Sequence, residues 1–265
     1  MSSPVQLQAR QLLAQAGARR LLDDACIHMA AGDLLGIVGP NGAGKTSLLR
    51  ALLGWLPLRG GQVLLQGRPL ADWSLSERAR RMAYLSQGQT VHWPMPVRDV
   101  VALGRLPYGD AKQRSGQQAI EAALHATSMQ DLAERNVQSL SGGERARALL
   151  ARALAVQAPV LLADEPLAAL DPAQQLHCMA LLREQARQGQ AVAVVLHDLS
   201  LASRFCSHLL LLDGGRTLRY GPPAQVLDDD ALAQTFGIEA LHIANTEQAH
   251  CILPWRPLSS LGGSG

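Results

Sequence analysis

Gly39-Pro40-Asn41-Gly42-Ala43-Gly44-Lys45-Thr46 is the stretch whose reading decides the fold. A glycine, four intervening residues and then Gly-Lys-Thr make the pattern that cradles phosphate. Ahead of it Leu34-Leu35-Gly36-Ile37-Val38 has the make-up of a buried strand, and behind it Ser47-Leu48-Leu49-Arg50-Ala51-Leu52-Leu53 that of a helix. Glycines without Cβ let backbone N–H groups turn inward around an anion, and the helix start after Gly44 adds its positive dipole end. Lys45 is expected to neutralise the β- and γ-phosphates and Thr46 to hold Mg²⁺ through its hydroxyl, so the expected ligand is a purine triphosphate with magnesium. Every residue from Gly39 to Ser47 is counted in the binding set.

Bulk composition narrows the class. The chain has 265 residues, 48% hydrophobic and 17% charged, which suits a soluble globular protein with a substantial core. Only 3% are aromatic, so Ala, Leu and Val must build that core. A formal charge of +2, with arginines scattered rather than bunched, gives no electrostatic reason to expect nucleic acid. Met1-Ser2-Ser3-Pro4 lacks the features of a secretory signal, and apolar runs such as 191–196 are far too short to span a bilayer. Cys26, Cys178, Cys206 and Cys251 form no CxxC pair and read as buried free thiols in a reducing compartment.

Taken in order, residues 5–38 read as strands broken by turns at 16–18 and 31–33. Residues 62–67 alternate as a strand does, Ser74 or Ser76 can cap a helix ending at Arg81, and 82–86 reads as another strand. Two prolines make 88–96 turn-rich, and 97–103 and 117–127 have helical spacing. Asp171-Pro172 starts a helix with a capping acid and a proline at its first position. A strand over 191–196 ends at His197, and Asp213-Gly214-Gly215 signals a hairpin. Strands alternating with helices imply a largely parallel sheet covered on both faces. The last residues, 259–265, are expected to be a flexible tail.

Two further motifs carry chemistry. Asp164 and Glu165 end the apolar run 159–163, at the strand end where open α/β sheets place ligands. Side chains alternate along a strand, so Asp164 can complete the Mg²⁺ shell while Glu165 orients a water toward the γ-phosphate. Ser141-Gly142-Gly143 repeats the logic of the first loop, a hydroxyl and two glycines ahead of a helix, and reads either as a plain helix cap or as a second anion site.

Gly39 to Thr46, Gln87, Leu140-Ser141-Gly142-Gly143-Glu144, Leu161 to Pro166, Ala169-Leu170-Asp171 and His197 occur in the order of an ABC-transporter ATPase subunit, which the chain resembles from about residue 5 to 235. The resemblance implies an α/β fold with a P-loop NTPase core of mixed sheet and helices, an antiparallel β subdomain and an inserted helical lobe. It places the ATPase domain at 1–240, the lobe at about 88–157, and a C-terminal extension with its tail at 241–265. It further implies a head-to-tail homodimer that clamps two ATP molecules, each between the phosphate loop of one copy and the Ser141 loop of the other. Gln87 is then expected to touch Mg²⁺ and the attacking water, His197 to reach the γ-phosphate, and Asp171 to bridge the dimer.

Residues 97–105 and 196–202 are similar to those of importers of iron–siderophore, haem and cobalamin. The implied partners are a polytopic membrane permease and, indirectly, a periplasmic or lipoprotein substrate-binding protein, with this chain peripheral on the cytoplasmic face of the inner membrane. The alternatives are a soluble ABC ATPase uncoupled from transport and an ABC subunit for another cargo; the short stretch from Gln87 to Ser141, without heptads, disfavours the DNA-repair type. Two departures stand out. The adenine-stacking aromatic usual in the family is missing, leaving Ala14 of Leu12-Leu13-Ala14-Gln15 to offer apolar contact, and Ala168 replaces a serine at the expected dimer seam.

Overall fold

The structure is a computed structural model that describes residues 4–88, 93–168, 170–244 and 250–258. Ala169, residues 89–92 of the turn-rich run, and the expected tail over 259–265 lie outside these. Strands β1 (Val5–Ala16), β2 (Arg19–Ala30) and β3 (Leu34–Val38) lead through the phosphate loop into helix α1 (Lys45–Leu52). Next come β4 (Gly60–Leu65), β5 (Arg68–Pro69), α2 (Leu75–Arg81) and β6 (Met82–Leu85). Ser74, rather than Ser76, caps α2, in a reciprocal box with Glu77.

Helices α3 (Val97–Ala102), α4 (Arg114–Ala126) and α5 (Gly142–Ala155) fill the interval before β7 (Val160–Ala163). Then follow α6 (Pro172–Arg187), β8 (Ala191–Val195), α7 (Leu199–Phe205), β9 (His208–Asp213) and β10 (Arg216–Gly221). Asp171 caps α6, accepting from the Gln174 N–H at 2.8 Å. Two short helices, α8 (Pro223–Val226) and α9 (Asp229–Ala231), precede a terminal hairpin of β11 (Ile238–Ala244) and β12 (His250–Pro257).

Six strands form the central sheet in the order β10-β9-β3-β8-β7-β6, parallel except where β10 turns back on β9. A separate antiparallel sheet, β2-β1-β4-β5, covers one face together with α1. Because side chains alternate, Leu35, Ile37, Val160 and Leu162 pack toward that sheet, whereas Leu161, Ala163, Val192 and Val194 pack toward α5, α6 and α7. A sheet buried on both faces needs continuous apolar strands, which β7 and β8 supply.

The inserted helices are tied together by an ion pair hidden from water: Arg105 donates from Nε and Nη2 to both oxygens of Asp110 at 3.0 and 2.8 Å, and from Nη1 to the Ala155 carbonyl of α5. The terminal hairpin docks on α7 through buried Ile252, whose N–H donates to Ser203 Oγ at 3.0 Å. Among the described residues, no helix is long and apolar enough to cross a membrane. All four cysteines are free thiols, but only Cys178 and Cys206 are buried; Cys26 and Cys251 are partly exposed, so the expectation of four buried thiols holds for two. Burial raises the Cys178 thiol to about 12.

Candidate functional site

The phosphate loop is braced by chain segments distant in sequence. At Gly39, φ is 151° and a Cβ would sit 2.0 Å from the Leu212 carbonyl oxygen of β9. Gly44, with φ 101°, stands before α1, and a Cβ there would meet the Leu21 carbonyl of β2 at 2.7 Å. Both positions therefore exclude any side chain. The turn after β9 closes the frame: Gly215 N–H donates to the Ala43 carbonyl at 2.9 Å, and Asp23 N–H to the Gly215 carbonyl at 2.9 Å.

Lys45 opens α1 and is only 6% exposed, its ammonium donating to the carbonyls of Gly39 at 2.7 Å and Pro40 at 2.9 Å. Burial lowers its pKa, against the opposing pull of Glu165 and Asp164. The ammonium is thus held across the mouth of the loop by groups that phosphate oxygens can replace.

Asp164 and Glu165 leave the end of β7 in different directions. Asp164 is 1% exposed; its Oδ1 accepts from the Thr46 hydroxyl and its Oδ2 from the Tyr84 hydroxyl, each at 3.3 Å. Desolvation raises its pKa, the two hydroxyls opposing this. Glu165 accepts from Gln87 Nε2 on Oε2 at 2.5 Å, and its Oε1 lies 2.6 Å from His197 Nε2. Its φ of 49° is left-handed, a conformation that costs a residue with a Cβ on the order of 1 kcal/mol or more. The strands that deliver Gln87, Glu165 and His197, namely β6, β7 and β8, are neighbours in the sheet, so the parallel order collects residues far apart in sequence.

Thr46, Asp164 and Gln87 offer a hydroxyl, a carboxylate and an amide, hard oxygen donors that fit a small dication shared with phosphate oxygens. The buried Asp164 carboxylate, destabilised by its surroundings, is the group a cation would relieve. Among the described residues, no three His, Cys, Asp or Glu side chains gather to hold a metal by themselves.

The pocket over the loop is lined by Asn41 to Ser47, Glu165 and His197, and by Arg19, Arg20, Leu21, Gly214 and Gly215. Ala14 is absent from it and only 3% exposed, packed in the core, so the expected apolar contact with a base is corrected. The pleat of β1 turns Ala14 inward. Arg20 is held by Asp23, which also binds Arg216, whereas Arg19 is exposed at the rim with no ionic or hydrogen-bond partner among the described residues. No local sequence signal marks Tyr84, Arg19 or the Gly214–Gly215 turn as site residues; alternation in a strand over 82–86 puts Tyr84 on one face with Ser86, but nothing local links it to Asp164.

Ser141, Gly142, Gly143 and Asp171 lie outside that pocket. Ser141 caps α5 by a reciprocal box: its Oγ accepts from Glu144 N–H, and its own N–H donates to the Glu144 carboxylate at 2.8 Å. A Cβ on Gly143 would lie 1.9 Å from Gln174 Oε1, so the first turns of α5 and α6 abut, bringing Ser141 and Asp171 to one side of the chain.

Known proteins resemble the chain in sequence and in fold. A family model described as ABC transporter matches residues 22–168. The hemin import ATP-binding protein HmuV of Pseudomonas entomophila (strain L48) is 45% identical over 242 residues, covering 89% of this chain and 94% of that protein. The protein of the same name from Thermobifida fusca (strain YX) is 44% identical, covering 90% and 84%. Among solved structures, a chain from an inward-facing metal-chelate type ABC transporter superposes with a TM-score of 0.81 at 26% identity, covering 96% of this chain and 98% of that one. A phosphate loop braced by β2 and β9, an acid pair at the end of β7 and relatives matching almost end to end converge: the chain belongs to the ABC transporter family and is an ATP-binding, ATP-hydrolysing subunit of it.

Proposed function

We propose that this ATPase powers import of a metal chelate, with hemin as the cargo, the cargo in the names of its relatives. The observation that carries the mechanism is Glu165, fixed between Gln87 and His197 at the edge of the phosphate pocket. Lys45 leaves the loop carbonyls for the β- and γ-phosphates. Glu165 Oε1 accepts a proton from the attacking water as it is oriented, and His197 meets the charge developing on the γ-phosphate. Thr46, Asp164 and Gln87 would hold Mg²⁺, which when bound neutralises phosphate charge.

Each chain carries one phosphate loop and one Ser141 loop, and the latter lies outside the pocket of the former. That arrangement supports a head-to-tail homodimer in which Ser141, Gly142 and Gly143 of one copy face the nucleotide of the other, with Asp171 at the seam. Leu103 and Leu106 are exposed on the turn beyond α3, beside the contact of Tyr108 and Pro107 with Arg80 of α2. This apolar step suits membrane-permease helices, which would hold the chain peripherally on the cytoplasmic face.

The test is affinity capture of the tagged full chain from its own membranes, coupled to hemin uptake by cells carrying wild type or Lys45→Ala. A co-purified polytopic protein, with uptake lost in the variant, supports the reading. Unchanged hemin uptake in the variant, with another chelate's uptake lost, would reassign the cargo; no membrane partner at all would favour the soluble alternative.

A further inference from the structure

Asp164 is sealed from solvent, yet each carboxylate oxygen has a hydroxyl partner. Thr46, on Oδ1, belongs to the proposed metal-holding set. Tyr84, on Oδ2, does not. Its phenol projects from β6 on the same face as Leu162, its register partner in β7, and therefore as Asp164 two residues further on. The ring is itself held: Trp55, just beyond α1, meets it edge-on with centroids 5.2 Å apart and planes at 87°.

A carboxylate turns broadly about its terminal torsion unless both oxygens are engaged. With Thr46 alone, Asp164 could swing either oxygen toward that hydroxyl, since nothing else among the described residues donates to it. We propose that Tyr84 is a positioning residue for the metal site: its hydroxyl pins Oδ2 so that Oδ1 stays turned to Thr46, where a divalent cation would sit. Outer-sphere partners of a ligating carboxylate are worth roughly 10–100-fold in metal affinity. Tyr84 acts through Asp164 and touches neither nucleotide nor metal. The proposal rests on the assignment of Asp164 as the metal carboxylate.

The experiment titrates Mn²⁺ into full-length protein with a non-hydrolysable ATP analogue and reads bound metal by electron paramagnetic resonance. Tyr84→Phe keeps the ring and its contact with Trp55, and circular dichroism checks its fold. We expect its Mn²⁺ affinity to fall by about tenfold or more, while analogue affinity measured in EDTA stays within about twofold of wild type. Mn²⁺ affinity unchanged in Tyr84→Phe overturns the proposal, as does an equal loss in EDTA. Asp164→Asn separates the premises: if it loses Mn²⁺ and Tyr84→Phe does not, only the role of Tyr84 falls; if Asp164→Asn keeps Mn²⁺, the assignment of Asp164 falls as well.

Discussion

His197 Nε2 lies 2.6 Å from Glu165 Oε1, joining the end of β8 to the end of β7 across the mouth of the phosphate pocket. The contact makes the two side chains one unit. Glu165→Gln is therefore expected to lower ATP turnover about 10²–10³-fold, in the range of a lost general base, while retaining nucleotide binding. Adding His197→Ala to it should cost little more, because residues that act as a unit are not additive. Phosphate release by the single and double variants measures this; multiplicative losses would show two independent residues.

Backbone strain at Glu165 gives a second expectation. With φ at 49°, glycine suits this position better than alanine. Glu165→Gly should exceed Glu165→Ala in unfolding free energy by about 1 kcal/mol in urea, both being inactive. Equal stability would mean the conformation carries no strain.

Base recognition is the third. Among the described residues, the Arg19 guanidinium has no ionic or hydrogen-bond partner and the pocket rim it borders carries no Phe, Tyr or Trp; a guanidinium can stack on a purine face. Arg19→Ala should weaken ATP binding by about fivefold, equivalent to about 1 kcal/mol, with inorganic tripolyphosphate binding nearly unchanged. Competition against a fluorescent nucleotide distinguishes stacking from simple charge attraction, which would weaken both ligands alike.

Close packing of the inserted helices sets a fourth. A Cβ at Gly104 would stand 2.2 Å from the Arg152 carbonyl oxygen of α5, backbone that cannot step aside. Gly104→Ala should destabilise the chain by roughly 1–3 kcal/mol. Gly143→Ala meets only the end of the Gln174 side chain and should cost less stability, as thermal melting would show.

The fifth concerns pH. Hydrogen bonding from Arg105, opposed by burial, holds the Asp110 carboxyl below its ordinary value of 3.8. A depressed carboxylate contributes stability above its unfolded pKa and loses it as pH falls through the folded one. Asp110→Asn, which leaves the buried Arg105 without its counter-charge, should cost on the order of 3 kcal/mol at neutral pH. That gap should hold down to about pH 5 and shrink below about pH 4. A gap that instead narrows between pH 8 and 6 would point to another group.

Sequence by itself marked the elements that carry the site motifs. Gly39 with the run Gly44-Lys45-Thr46, Asp-Pro at 171–172 and Asp-Gly-Gly at 213–215 are local signals, because φ preference and capping are fixed by a few neighbouring residues. The unbroken apolar runs that became β3, β7 and β8 likewise announced a sheet buried on both faces. The terminal hairpin was not legible: Pro254 sits inside β12, the register shifts at Glu239/Ala240, and tertiary contacts hold it, Ile252 against α7 and His242 against Asp229 of α9. Tertiary structure alone decided that Ala14 is core, that Arg19 borders the pocket, and that Tyr84 reaches Asp164. Such contacts depend on which face each strand turns to a neighbour remote in the chain, and that choice is made by packing two sheets together, which no local pattern encodes.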